Sequence, residues 1–585
     1  MGVFSVAAKK DELMGRIVKR ALVATLGLTL YACGGLRSPG GSYPDYYVAD
    51  GSKIALRIDG SRIALRPHEG ARPGLDSLVQ NHPLLQFDQR SREQYPDQRI
   101  VIGSLSGGGK LLGVDSVYAR LVNDSKVVND RLVEFVGLVV VLRDRPPGAD
   151  STIVLTNRVL ALFEAAADSA LRSRIYRDLG LELVREIANR PRWVVLRPLS
   201  KSPRDALNAA NQLAERYANL VEFAHPDFIV RTVGLGVVGC SGTGPYPEPF
   251  PCFTPSEQYV SPNPDPAIGM QWHLNNAASA AADVDAFEAW WLERGNASVV
   301  IAVIDDGIET LHPDLVDGVL PNSALALRNF TALNEEDWDD NPRPGCCTGC
   351  NDDHGTPVAG IAVARGDNGT GGSGVCPDCT LLPIRARAGS IGNHAEAILA
   401  AMDQGAWIIN LSWGYSNAEP YRAVRTAINE VAHSGRGGAG TVVVSAAIED
   451  FCARRNHASL RTTLAVGQSD ANVNSLVGIG GDCLDVIAPG DQIYTTTYDP
   501  EKCQSSYGTF NGPSAAAPIV SGIAGLILSA TPTLSAAQVR DIIRKTADKV
   551  GNCDYNDQGF HRRCGYGRVN AYCAVAMACS LQCIE

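Results

Sequence analysis

The chain has 585 residues, 45 % of them hydrophobic, and a formal charge of −11. That length suits two to four domains with sizeable cores. The charge is spread out, without the basic tract or aromatic-interleaved basic patch of a nucleic-acid binder, and no apolar run reaches the ~18 residues that span a bilayer as a helix. At the N-terminus, Lys9, Lys10, Arg16, Lys19 and Arg20 precede the apolar run "ALVATLGLTLYA", and Cys33 follows. Charge, a short apolar core and a small residue at the cut predict a secretory signal over 1–32. Residues 33–98 read as a tether and a small β-hairpin region, because "GSKIALRID" and "GSRIALRPH" repeat at 51–68 around Asp59-Gly60. An α+β region spans 99–232: strands over 99–155, a helical stretch from 157 to 188, then strand–helix–strand. In that last helix Ser202 caps and Pro203 takes the first helical position. A Gly/Pro-rich linker covers 233–268. From 269 to 585, all-apolar strands such as "SVVIAVID" and "GTVVVSAA" alternate with helices, which predicts an α/β domain whose mostly parallel sheet is covered on both faces.

Of 16 cysteines, Cys33 stands alone and the others lie between Cys240 and Cys583. In an exported chain they imply disulfides. The rival is a zinc ribbon built from Cys347, Cys350, Cys376 and Cys379, whose two pairs are further apart than such ribbons usually have them.

Three segments carry polar residues at element boundaries. Asp305 ends the buried strand of "VVIAVIDDG", the edge at which sites assemble in open α/β sheets. His354 precedes the helix start "GTPVAG", and Ser514 in "NGPSAAAP" opens a long apolar run. Alone, Ser514 is a helix cap or a nucleophile, Asp305 a turn residue, and His354 a cap or a core histidine. Together, in the order Asp, His, Ser, they suit nucleophilic catalysis. A hydroxyl needs a base, an imidazole titrates near neutrality, and a carboxylate fixes its tautomer. At a helix N-terminus, free N–H groups face the charge that develops on the attacked carbonyl oxygen.

Over roughly residues 265–575 the chain resembles the subtilisin-like serine proteases (subtilases), on "VIDDGIETLHPDL", "HGTPVAG", "NLSWG", "VIAPGDQIYTT", "GPSAAAP" and "GYGRVNA". The Asp-Asp-Gly, Ser-Trp-Gly and Ser-Ala-Ala-Ala-Pro variants, with "QWHLNN" and "DDNPRP", are most similar to the kexin-like branch, although the β-sandwich domain of that branch is not expected here. The resemblance implies a three-layer α/β peptidase domain acting on polypeptides through Asp305, His354 and Ser514, by way of an acyl-enzyme. It implies that Ser412-Trp413-Gly414 pairs with the substrate backbone. It also implies a propeptide over 150–232, whose "VEFAHPDFIV" lies along that strand, and calcium, with Asp339 and Asp340 as candidate ligands. Leu30-Tyr31-Ala32-Cys33 resembles a bacterial lipobox, so Cys33 is expected to carry lipid and anchor an exported chain to a membrane.

The match departs from the family at the oxyanion site. The expected Gly-Asn is replaced by Ile448 and Glu449. An ionised carboxylate only accepts hydrogen bonds and would repel an oxyanion. Two readings follow: an endopeptidase slowed at this step, or a catalytically impaired subtilase-fold protein that binds peptides or partners.

Overall fold

Six apolar segments form one parallel sheet in the order Thr380–Arg385, Val300–Asp305, Ile408–Leu411, Val442–Ala446, Thr463–Ser469, Val486–Pro489. This computed structural model describes residues 46–49, 52–67, 85–86, 101–105, 121, 133–142, 152–187, 190–200, 202–230, 232–234, 264–276, 282–321, 328–332, 338–345, 352–415, 422–447, 457–471, 481–550 and 553–582. All six strands are buried except Thr380 at one end, as a sheet covered by helices on both faces requires. One face is covered by Ile391–Asp403 and Arg422–Ser434, the other by Gly355–Val363 and the 18-residue helix Pro513–Ala530. That last helix is long and apolar enough to pass for a membrane span, yet 89 % of it is buried inside the fold. Its small residues allow close approach. A Cβ on Gly522 would lie 2.6 Å from the Val375 side chain, and one on Gly525 would lie 3.0 Å from the Cys376 and Cys379 sulfurs.

The strand order places the earliest strand, Val300–Asp305, between its first and second successors, Thr380–Arg385 and Ile408–Leu411. Connections on its two sides therefore leave in opposite directions, which opens a crevice at the carboxyl ends of Val300–Asp305 and Ile408–Leu411. Asp305 and Ser412 lie at those two ends.

Upstream, Thr152–Phe163, Ser169–Leu179, Leu181–Ile187, Arg190–Pro198, Pro203–Arg216 and Val221–Val230 form a β-α-β-β-α-β unit with an antiparallel sheet. This corrects the helix expected from 157 to 188: the Leu- and Ala-rich start is the central strand, and its helix spans only Ser169–Leu179, capped by Asp168 Oδ1 on the Leu171 N–H at 2.8 Å. Packing between Val221–Val230 and Arg190–Pro198 overrides helix propensity there. Ser202 sits at the N-cap position of Pro203–Arg216 without a side-chain cap bond.

The duplicated segment is also corrected. Ser52–Pro67 is one 16-residue strand, not a hairpin. Both copies pair with Val133–Leu142, and the register shifts between Ile58 and Ile63, where Asp59-Gly60-Ser61-Arg62 bulges out with an Arg62–Asp59 ion pair at 2.6 Å. Through Val133–Leu142 this strand joins the same sheet as the β-α-β-β-α-β unit. The signal segment, Cys33, Cys240, Cys347, Cys350 and most of the linker lie outside the described residues. Cys376 is bonded to Cys379 and Cys553 to Cys564. The first pairing removes both sulfurs from a zinc ribbon.

Candidate active site

Asp305 ends its strand fully buried, and its Oδ1 lies 2.9 Å from His354 Nδ1. The turn between them is tight. A Cβ on Gly355 would lie 2.4 Å from the Gly307 carbonyl oxygen and 2.9 Å from the Asp305 Cβ, so only glycine lets the His354 helix start meet the strand end. Asp305 Oδ1 also accepts the Asp306 N–H at 2.9 Å. Burial pushes the Asp305 carboxyl up, but His354 and then Arg387 outweigh it and hold the group below its ordinary value. The carboxylate is therefore the form that meets the ring. Phe510 packs edge-on against the imidazole at 5.1 Å.

Ser514 is not the cap of its helix. Gly512 is, with φ 100°, a conformation that L side chains rarely adopt; Pro513 follows at the first helical position. Ser514 thus stands one residue further in, where its backbone N–H lacks an intrahelical acceptor. A buried chain of bonds fixes it. Ser521 Oγ donates to Asn410 Oδ1 at 2.8 Å, Asn410 Nδ2 to Ser412 Oγ at 2.9 Å, and Ser412 Oγ to the Ser514 carbonyl at 3.0 Å. The Ser514 hydroxyl donates to the Ser412 carbonyl at 2.7 Å. Asp305 and His354 are thus joined to each other, and Ser514 to Ser412. His354 Nε2 is buried and has no hydrogen-bond partner among the described residues. Trp413 is fully buried, its Nε1 donating to the Ile304 carbonyl at 2.6 Å, which ties the substrate-strand candidate to the Asp305 strand.

That strand, Trp413–Tyr415, is occupied from upstream. Thr232–Gly234 pairs with it antiparallel, Val233 opposite Gly414. The pairing segment is therefore Thr232–Gly234 and not "VEFAHPDFIV", because Val221–Val230 is committed to the upstream sheet. Asp227 of that strand reaches the peptidase helix Ile391–Asp403. Its Oδ1 accepts the Gly392 N–H and its Oδ2 the Ser390 hydroxyl, both at 2.9 Å. Arg190 pairs with Asp403 at 2.9 Å and Glu430 at 2.5 Å, and Arg185 pairs with Glu396 beneath Trp338.

Ile448 and Glu449 lie outside the described residues, which stop at Ala447, so their geometry is not described. Asp339 and Asp340 are exposed, and Asp339 Oδ1 accepts the Asn341 N–H at 2.9 Å. A more enclosed oxygen cluster, missed in the sequence although marked by the run "GDNGTGG", gathers around Asp314. Its oxygens accept from Asn368 Nδ2 at 2.9 Å and the Gly372 N–H at 3.1 Å. Asp265 accepts the Asp367, Asn368 and Gly369 N–H groups at 2.9, 2.9 and 3.0 Å. Burial, with the Asp265 charge adding to it, pushes Asp314 up to about 7 against Arg365. Asp265 and Asp314 are hard oxygen donors of the kind a divalent cation takes, while Asn368 turns its amide nitrogen to Asp314 and its oxygen to the Thr370 N–H at 2.7 Å.

A parallel α/β sheet with an Asp–His pair and a helix-borne serine at its switch-point crevice defines the class as a serine-hydrolase type of site. The Subtilase family profile matches residues 296–567. Thermitase of Thermoactinomyces vulgaris is 34 % identical over 300 residues, covering 50 % of this chain and 93 % of thermitase. A calcium-dependent protease of Nostoc sp. is 29 % identical over 364 residues, 54 % of this chain and 52 % of that protein, so the match spans about half of this relative. Fervidolysin of Fervidobacterium pennivorans, a keratinolytic enzyme related to subtilisin, shares the fold at 20 % identity and TM-score 0.50, over 72 % of this chain and 61 % of its own. The chain belongs to the subtilase family of serine endopeptidases.

Proposed function

We propose that this chain is an exported serine endopeptidase, made as a zymogen, in which Ser514 attacks the peptide carbonyl, His354 takes its proton and Asp305 holds the imidazole. The observation that carries the reading is the 2.9 Å Asp305–His354 bond at the switch-point crevice that Ser514 and Ser412 also border. For attack, the Ser514 hydroxyl turns from the Ser412 carbonyl to His354 Nε2. The imidazolium then protonates the leaving amine, and water, deprotonated by the same ring, releases the acyl group. The Ser514 N–H is one donor to the oxyanion. Glu449 in place of the second donor costs about 2.7–4 kcal/mol, or 10²–10³ in rate. Ser514→Ala should abolish casein hydrolysis while leaving the fold intact; hydrolysis retained would reject the assignment.

The segment ending at Gly234 acts as the inhibitory propeptide. Its support is the strand laid along Trp413–Tyr415 and the Asp227 cap. Counting one residue beyond Gly234 along that register reaches Ser412, the residue bonded to the Ser514 hydroxyl. The expected cut is therefore Leu235–Gly236. Lipid on Cys33 would stay with the propeptide, so cleavage would release the peptidase from its anchor. The Asp-Asp-Gly and Ser-Trp-Gly variants support a kexin-like affinity within the family. Calcium, for which two related proteases are named, would be held by Asp265 and Asp314, with the Asn368 amide turned over, and would stabilise the loop rather than take part in chemistry.

A further inference from the structure

We propose that Asp306 and Arg387 are positioning residues for the His354 base: a buried ion pair that caps its helix and balances the charge beside its ring. The proposal rests on the reading of His354 as general base. His354 occupies the N-cap of Gly355–Val363 but makes no cap bond, because its ring is turned to Asp305. The first N–H groups of that helix still need an acceptor. Asp306 supplies it from the neighbouring strand end: Oδ1 accepts the Gly355 N–H at 2.8 Å and Oδ2 the His354 N–H at 3.3 Å. A second carboxylate beside Asp305 in a dry site calls for a counter-charge. Arg387, 3 % exposed, puts Nη1 at 3.1 Å from Asp306 Oδ2 and 3.5 Å from Asp305 Oδ1. Its own backbone is fixed: its N–H donates to the Asp305 carbonyl at 3.1 Å, and its carbonyl meets His394 Nε2 at 3.3 Å.

Among the described residues, the other charged groups facing the pair are Arg385, whose Nε donates to the Asp306 carbonyl at 2.9 Å, and Asp352, paired with Arg385 at 2.5 Å. Among the described residues, and with all of these groups ionised, three carboxylates and two guanidiniums leave one negative charge, which is what an imidazolium at His354 would neutralise. Both Asp306 oxygens meet donors only, so the site is built for the ionised form. Burial and then Asp305 push that carboxyl well above the usual range, and Arg387 opposes them. Losing Arg387 therefore leaves excess negative charge around the ring and favours its protonation. Losing the Asp306 charge does the reverse.

The test uses the full chain carrying Arg387→Met, Asp306→Asn or both. His354 is titrated by imidazole NMR in a Ser514→Ala background, which needs no turnover, and the pH profile of kcat/KM is recorded with Ser514 intact. The His354 titration should rise in Arg387→Met, fall in Asp306→Asn, and return near wild type in the double variant. In each single variant kcat should drop about tenfold with KM changed less than about threefold. Arg387→Lys, which keeps the charge but not the fork, should titrate like wild type with a lowered kcat, and it serves if Arg387→Met does not fold. Single variants that shift together, or not at all, would overturn the proposal. Opposed NMR shifts in the two variants, beside a wild-type chain that hydrolyses nothing, would uphold the pair and sink the enzyme reading instead.

Discussion

Asp227→Ala should loosen the proposed propeptide without touching the peptidase site. The buried carboxylate caps Ile391–Asp403 from the opposite domain, accepting the Gly392 N–H and the Ser390 hydroxyl at 2.9 Å each. Hydrogen bonds to charged groups are worth about 1.5–3 kcal/mol apiece, and a charge at a helix N-terminus roughly 0.3–1 kcal/mol more. Water recovers part of this once the surfaces separate, which leaves a net loss of about 2–4 kcal/mol. That converts to a roughly 30- to 700-fold weaker grip. Asp227→Asn keeps one acceptor on the Gly392 N–H and should lose only about tenfold. The assay is a dilution jump of the self-processed, still-associated protein into a fluorogenic peptide, in which the lag before full turnover reports release of the N-terminal fragment. A correctly folded alanine variant with a lag within twofold of wild type would refute the capping argument and make the docking depend on Arg185, Arg190 and the apolar contacts alone.

Ser514→Ala, His354→Ala and Asp305→Asn should each abolish peptidase activity, and double variants should be little worse than singles because the three act as a unit; casein hydrolysis by purified proteins checks this. Mass spectrometry of the processed protein should find a new N-terminus at Gly236 in wild type and an uncut chain in Ser514→Ala, while a cut well downstream would mean that the Thr232–Gly234 pairing is not the one processed. Glu449→Asn, alone or with Ile448→Gly, should raise kcat; no gain in either would place the oxyanion donor elsewhere. Calcium at about 100 times its Kd should stabilise by about 2.7 kcal/mol, a rise in Tm of roughly 5–10 °C. Asp314 is raised from 3.8 to about 7, so its contribution to metal-free stability is full below the lower value and lost as pH climbs through the upper one. Calcium should therefore help more at pH 8 than at pH 6 in thermal melts, and equal gains at both would exclude Asp314 as a ligand.

The parallel sheet was readable because its strands are short, apolar throughout and separated by helices, a pattern that admits few alternatives. The places of Asp305 and His354 were readable for the same reason: each abuts an element whose pattern ends there. Ser514 was ambiguous locally, since only the φ of Gly512 decides which residue caps the helix. Thr152–Phe163 misled because Leu, Ala and Arg are helix formers, while its strand state is imposed by partners far along the chain. The repeat at 51–68 misled because Asp-Gly marks a turn but does not say whether the chain reverses or merely bulges. Arg387 and Asp227 carried no local signal at all. Their roles exist only once parallel pairing sets Arg385 beside Asp305, and once two domains meet at a helix end.

The central claim, that Ser514 is a nucleophile activated by His354, is tested most directly by intact-mass analysis after exposure to a fluorophosphonate, with peptide mapping of the adduct. The account predicts a single adduct on Ser514 in the processed native protein, its formation at least about a hundredfold slower in His354→Ala and absent after heat denaturation. No adduct on Ser514, or one that forms equally fast without His354, would contradict it.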